Sequence, residues 1–184
     1  SNNRYEIKFV LNELEFASIY PLTKNVELFE RYPIRKVNSL YFETSEFSCV
    51  KENLSGTSIR NKIRLRWYSE NEKPPELEIK KREGRLGNKI KYKLDQLCLE
   101  DINKFNMKKL SKLILDFVIK NYKYDMILNT YLHPILKVNY ERQYFENQKG
   151  IRATIDRKIK FSPLSLYNKI DYFHDTYIRL IMNI

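Results

Sequence analysis

"IRNKIRLRWYS", residues 59 to 69, places Lys62, Arg64 and Arg66 at every second position and fills the positions between them with Ile63, Leu65 and Trp67. Side chains alternate between the two faces of a β-strand, so one face of this segment is wholly cationic and the other wholly apolar. A solvated edge would explain one such strand, because exposed lysines and arginines keep sheet edges from pairing. The pattern recurs, however. "RYEIKFVL" sets Arg4, Glu6 and Lys8 against Tyr5, Ile7 and Phe9, and "ELEIKKR" sets Glu76, Glu78, Lys80 and Arg82 against Leu77 and Ile79. "NKIKYKL" opposes Lys89, Lys91 and Lys93 to Ile90, Tyr92 and Leu94. "ILKVNYERQYF" carries Tyr140, Arg142 and Tyr144 on one face, and "IRATIDRKIKF" carries Arg152, Thr154, Asp156 and Lys158.

Sandwiches also alternate apolar with polar residues, but their solvated faces mix hydroxyls, amides and both signs of charge, whereas here long cations dominate strand after strand. Strands that close into a barrel with these faces inward create a cationic tunnel and leave the apolar faces outside, for helices to cover. "NELEFASIY", "LEDINKF" and "MKKLSKLILDFVIKNYK" have the three-and-four spacing of such amphipathic helices. A helix is also expected over "SEFSCVKENLSG", with Ser45 as its N-cap and Gly56 as its terminator. "IRKVNSLYFET" and "TYIRLIMNI" read as strands, and "EGRLGN" as a hairpin turn. Like charges confined in a tunnel are costly unless an anion compensates them. Glu6, Glu76, Glu78 and Asp156 neutralise part of the excess and offer the hard oxygens that divalent cations prefer.

Composition narrows the partner. With 184 residues and 42% hydrophobic content the chain suits one globular domain, and four glycines and six prolines leave little room for linkers. No apolar run reaches the length needed to span a bilayer, and "SNNRYEIKFV" lacks the apolar segment of a signal peptide. Cys49 and Cys98 stand far apart, outside any metal-ligand spacing, and are expected as free thiols in the reducing cytoplasm. A net charge of +11 predicts attraction to a polyanion, whether nucleic acid, anionic membrane or polyphosphate, and charge alone does not choose among them. Cations inside a tunnel do not reach duplex phosphates, so nucleic acid is not the expected partner, and neither is membrane insertion. Neither His133 nor His174 is placed as a catalytic base.

In this order, "RYEIKF", "SLYFET", "IRLRWY", "EIKK", "YERQYF" and "IRATID" resemble the VTC domain, the polyphosphate polymerase branch of the triphosphate tunnel (CYTH-like) superfamily. The resemblance runs from Arg4 to about Phe161. It implies an α+β fold, an antiparallel eight-stranded β-barrel tunnel with helices packed outside, spanning residues 1–184. It also implies transfer of the γ-phosphoryl group of ATP to polyphosphate with a manganese or magnesium ion, and a site that takes ATP, polyphosphate or triphosphate. Carried over by motif, Lys8, Arg64, Arg66 and Lys80 are the catalytic cations, while Lys91, Arg142, Arg152, Tyr41 and Tyr140 bind substrate. Lys62 shares the parity of Arg64 and is expected at the tunnel mouth, and Glu6 and Glu78 are the metal carboxylates. The family closes its barrel with a strand ending "M-E-I-K"; here "IMNI" puts Asn183 in the glutamate's place. That departure, with no lysine after it, implies a domain shortened at its C-terminal end or impaired in catalysis, so that binding without turnover stands beside polymerase and triphosphatase as a reading.

Overall fold

The computed structural model describes residues 6–68, 74–84, 86–95, 102, 107–121, 132–164, 173–175 and 177–183. Arg4 and Cys98, and the side chain of His174, lie outside the described set. In chain order the elements are β1 (Glu6–Leu11), α1 (Glu13–Asn25), β2 (Phe29–Thr44), α2 (Ser48–Leu54), β3 (Ile59–Tyr68) and β4 (Glu76–Glu83). They continue with β5 (Leu86–Lys93), α3 (Met107–Asn121), β6 (Leu132–Glu146), β7 (Arg152–Pro163), β8 (Phe173–Asp175) and β9 (Ile178–Asn183).

All described pairings are antiparallel and form one sheet, in the order β1-β9-β7-β6-β2-β3-β4-β5. The path has the eight antiparallel strands that the resemblance implies, and the architecture is the α+β triphosphate tunnel fold. Strand β8, absent from the sequence reading, pairs with Ile159–Phe161 of β7 and stands off the path. Among the described residues the path is not closed by backbone hydrogen bonds, since β1 and β5 are its two ends. Both ends carry lysines, Lys8 on β1 and Lys89, Lys91 and Lys93 on β5, which is where the edge-protecting role of exposed cations applies.

The two faces of the sheet separate as the alternation requires. Leu40, Phe42, Ile63, Leu65, Trp67, Leu77 and Ile79 form one apolar cluster, over which α3 lays Leu110 and Ile114. A second cluster joins Leu11, Phe145, Ala153, Ile155, Ile178 and Leu180 beneath Phe16 of α1. Arg64, Arg66, Glu76, Glu78, Arg142 and Asp156 of the same strands lie on the opposite face, whereas Lys137 and Arg157 lie on the apolar side against Trp67 and Phe16.

Local chemistry sets the ends of the helices. Asn12 opens α1 with a reciprocal cap: its side-chain oxygen accepts from the Glu15 amide at 2.9 Å, and the Glu15 carboxylate accepts from the Asn12 amide at 2.8 Å. The helix runs past Pro21 to Asn25, beyond the segment expected from its spacing. At α2 the expected Ser45 cap is not used. Phe47 precedes the helix in a left-handed conformation (φ 56), and its first amides are taken by Thr44 Oγ1, which accepts from Ser48 N, and by Glu43, which accepts from Cys49 N. Gly56 follows that helix with φ +66, a conformation glycine adopts without the cost of a β-carbon.

Leu110 has no solvent exposure. Leu110→Ala is therefore expected to cost about 3 kcal/mol in urea unfolding, the transfer term plus a cavity. Leu54→Ala, at a site 83% exposed, should stay within about 0.5 kcal/mol of the parent.

Candidate functional site

Residues directly opposite in an antiparallel ladder share a face, so the register builds the site row by row. Tyr41, Arg64, Glu78 and Lys91 stand side by side across β2, β3, β4 and β5. The next row holds Ser39, Arg66, Glu76 and Lys93. Beyond it Val37 lies between Tyr68 and Tyr140, and Arg35 faces Arg142, which faces Asp156. At the far end Asn183 lies between Glu6 and Arg152. Every residue expected at the site thus falls on one face: Glu6, Lys8, Tyr41, Lys62, Arg64, Arg66, Glu78, Lys80, Lys91, Tyr140, Arg142 and Arg152.

The middle of that face is tightly connected. Arg64 donates from Nε to Glu78 at 2.6 Å and from Nη1 to the Tyr41 hydroxyl at 3.2 Å. Arg66 donates to Ser39 Oγ at 3.5 Å and, reaching over β2, to the Tyr140 hydroxyl at 2.9 Å. Arg142 grips both oxygens of Asp156, at 2.6 and 2.7 Å, in the two-pronged geometry that guanidinium favours. The Glu78 side chain is only 3% exposed and also lies 2.9 Å from Lys89 Nζ and 3.4 Å from Lys91 Nζ.

These contacts set the charge states. Burial alone would raise the Glu78 carboxyl, but the Arg64 charge, the Lys89 hydrogen bond and the Arg66 charge together hold it at about 2. Burial pulls Lys89 down against the attraction of Glu78, whereas the bond to Glu76 raises Lys91. Burial pushes the Tyr140 phenol up, so it stays protonated. Arg66 stands apart: its hydrogen bonds go to hydroxyls, and no carboxylate pairs with it among the described residues.

The remaining expected residues lie toward the margins. Lys8 is paired with Glu6 at 2.9 Å on the exposed strand β1, and Arg152 with Glu146 at 2.9 Å. Lys62 and Lys80 oppose one another, both exposed, without a carboxylate partner among the described residues. Four residues that the motifs did not carry over join the site, two of them, Lys89 and Asp156, already expected on the charged face. Lys89 and Ser39 touch Glu78 and Arg66, Asp156 holds Arg142, and Arg35 lies over Tyr32 and Tyr144 at 4.7 and 5.5 Å from the ring centroids. The signal for Arg35 was available: it shares the parity of Val37, Ser39 and Tyr41.

A divalent ion finds no ready cage. Among the described residues no three His, Cys, Asp or Glu side chains come together, and both oxygens of Glu78 are committed to cations. Among the described residues, then, protein oxygens alone do not assemble a cage for such an ion.

A profile of the VTC domain matches residues 3–180. The chain belongs to the VTC domain family. No curated protein matches this VTC domain in sequence. Among solved structures it is similar to HpAC1 from Hippeastrum, an adenylyl cyclase candidate found to have a dominant triphosphatase activity, at 13% identity and TM-score 0.58 over 99% of this chain and 80% of that one. It is also similar to PH1012 from Pyrococcus horikoshii OT3, at 12% identity and TM-score 0.53 over 99% and 78% of the two chains. A third likeness, at 9% identity and TM-score 0.51 over 97% and 74%, is to an adenylate cyclase candidate from Vibrio parahaemolyticus. At these identities the likeness is one of fold. No helix among the described residues of the VTC domain is long and apolar enough to cross a membrane.

Because the Glu78 carboxyl is held below its ordinary 4.5, its pairing stabilises the fold fully above about pH 4.5, and that contribution is lost as pH falls toward about 2. Acid unfolding of the parent should therefore steepen across this window. Glu78→Gln is expected to be less stable at pH 7 and to lose that part of the acid dependence, read by circular dichroism.

Proposed function

We propose that this VTC domain is a phosphotransferase of the polyphosphate polymerase type, binding nucleoside triphosphate and polyphosphate along its cationic face and passing the γ-phosphoryl group to the growing chain. The observation that carries this reading is Arg66, half-buried and bonded only to the neutral hydroxyls of Ser39 and Tyr140. The nearby carboxylates Glu78 and Glu76 are bonded to Arg64, Lys89 and Lys91, and a half-buried guanidinium with no carboxylate of its own is unfavourable unless a ligand supplies the anion. Arg64 and Arg142 flank it, already oriented by Glu78 and Asp156.

The hydroxyls extend the same logic. Tyr41 and Tyr140 each accept a hydrogen bond from an arginine, which leaves their own O–H groups to donate to phosphate oxygens. Phosphoryl transfer asks the protein for in-line positioning and neutralisation of spread negative charge, and a fixed array of forked and point cations provides both. Manganese or magnesium, if required, is expected to arrive chelated by the phosphates.

One observation favours a second reading, binding without turnover. Asn183 lies directly between Glu6 and Arg152, and an amide offers a carbonyl oxygen but no charge. Turnover should therefore be weak, and Asn183→Glu is expected to tighten manganese binding in calorimetry; equal affinities in the two proteins would remove Asn183 from the account.

The central test is chain growth on a polyphosphate gel with ATP and manganese, alongside thermal melts with tripolyphosphate at low salt. A ligand present at a hundredfold excess over its Kd should add about 2.7 kcal/mol to stability. The Arg64→Ala, Arg66→Ala double variant is expected to stay folded and lose this shift. A melt that responds to duplex DNA and not to tripolyphosphate would overturn the proposal.

A further inference from the structure

One end of the cationic face is built differently from its centre. The Arg35 guanidinium lies between the rings of Tyr32 and Tyr144, which meet edge to face with centroids 5.9 Å apart. Arg142 lies over Tyr144 and over Tyr140, at 6.0 and 5.1 Å, so tyrosine and arginine alternate from this end toward Arg66. Arg35 has no carboxylate partner among the described residues, unlike Arg142, which Asp156 satisfies. Tyr32 remains 45% exposed. Pro33 follows it, and the β2–β6 register slips between Tyr32 and Arg35. A bulge of this kind re-aims side chains next to functional sites, and proline, without an N–H, suits it.

We propose that Tyr32 and Arg35 form the platform for the base of a nucleoside triphosphate, which would lie with its base at this end and its terminal phosphate at Arg64 and Arg66. The assignment rests on the triphosphate-binding reading above and fixes the direction of the ligand. Ser39, beside Arg66, is four residues from Arg35 along β2, a run of about 13 Å at the rise of an extended strand. That is comparable to the reach of an extended nucleoside triphosphate from terminal phosphate to base, and Arg142 lies opposite Arg35, where the inner phosphate and ribose would pass. Every base has a π-face, so a ring-and-guanidinium platform tolerates purines and pyrimidines alike. The site is expected to take ATP and GTP with similar affinity.

Titration calorimetry with ATP, GTP and tripolyphosphate against the parent, Tyr32→Ala and Tyr32→Phe tests this. Tyr32→Ala should weaken ATP and GTP by about tenfold, the scale of one lost stacking contact, and leave tripolyphosphate within about twofold. Tyr32→Phe, which keeps the ring, should restore nucleotide affinity. Unliganded melts verify that both variants fold, and Arg35→Gln is the second probe, expected to cost ATP more than tripolyphosphate. Equal losses for ATP and tripolyphosphate, or none for ATP, would overturn the platform while leaving the phosphate site standing. A parent that binds neither ligand would overturn both.

Discussion

A carboxylate almost fully withdrawn from water, Glu78, stands between Arg64, Lys89 and Lys91, and the composition of the whole cationic face depends on it. Three cations this close would repel one another strongly where solvent is excluded. Glu78 converts part of that repulsion into ion pairs, and Asp156 does the same for Arg142 on the far side of β6. Removing one partner of such a buried pair costs much more than the pair contributes, because the survivor is left charged and desolvated. The compensation is also incomplete, and the incompleteness is what makes the face a receptor. Were every arginine matched, an incoming anion would have to compete with internal carboxylates; Arg66 and Arg35 impose no such competition.

Much of this was legible in the sequence because the strand period is two. The alternation of Lys62, Arg64 and Arg66 with Ile63, Leu65 and Trp67 fixes which side chains share a face, and antiparallel pairing carries that parity from strand to strand, which is why residues as distant as Glu6 and Lys91 fall on the same side. Parity says nothing of height along the strand. Register therefore decided what alternation left open: Arg64 beside Tyr41 and Glu78, and Lys8 and Lys62 out at exposed margins. Arg35 was passed over although it shares the parity of Ser39 and Tyr41; Pro33 and the bulge interrupt the period only before it, at Tyr32. Capping at α2 was misread for a related reason, since the left-handed turn at Phe47 lets Thr44 and Glu43 reach amides that Ser45 would otherwise serve.

The same arithmetic explains the division of labour between the arginines and the tyrosines. Guanidinium forks fix direction but cannot accept a hydrogen bond, so an array made only of arginines would have no internal partners. Phenol hydroxyls accept from one neighbour and donate to the next, and their rings give the cations an apolar surface to lie on. Tyr41, Tyr140 and Tyr144 thus hold Arg64, Arg66 and Arg142 in place without neutralising them.

The pairing of β1 with β9 has a consequence for how the chain acquires its shape. Glu6 meets Asn183, and Leu11 meets Ile178, so contacts at one end of the sheet join residues separated by most of the sequence. On a ribosome β1 is made well before β9, leaving Ile7, Phe9 and Val10 without their ladder until that partner emerges. Closing so long a loop is slow compared with forming the local hairpin of β4 and β5. Folding is therefore expected to proceed from the β3–β4–β5 meander outward, with β1 the last of these strands to dock, and nascent β1 is the segment that a chaperone would most usefully hold.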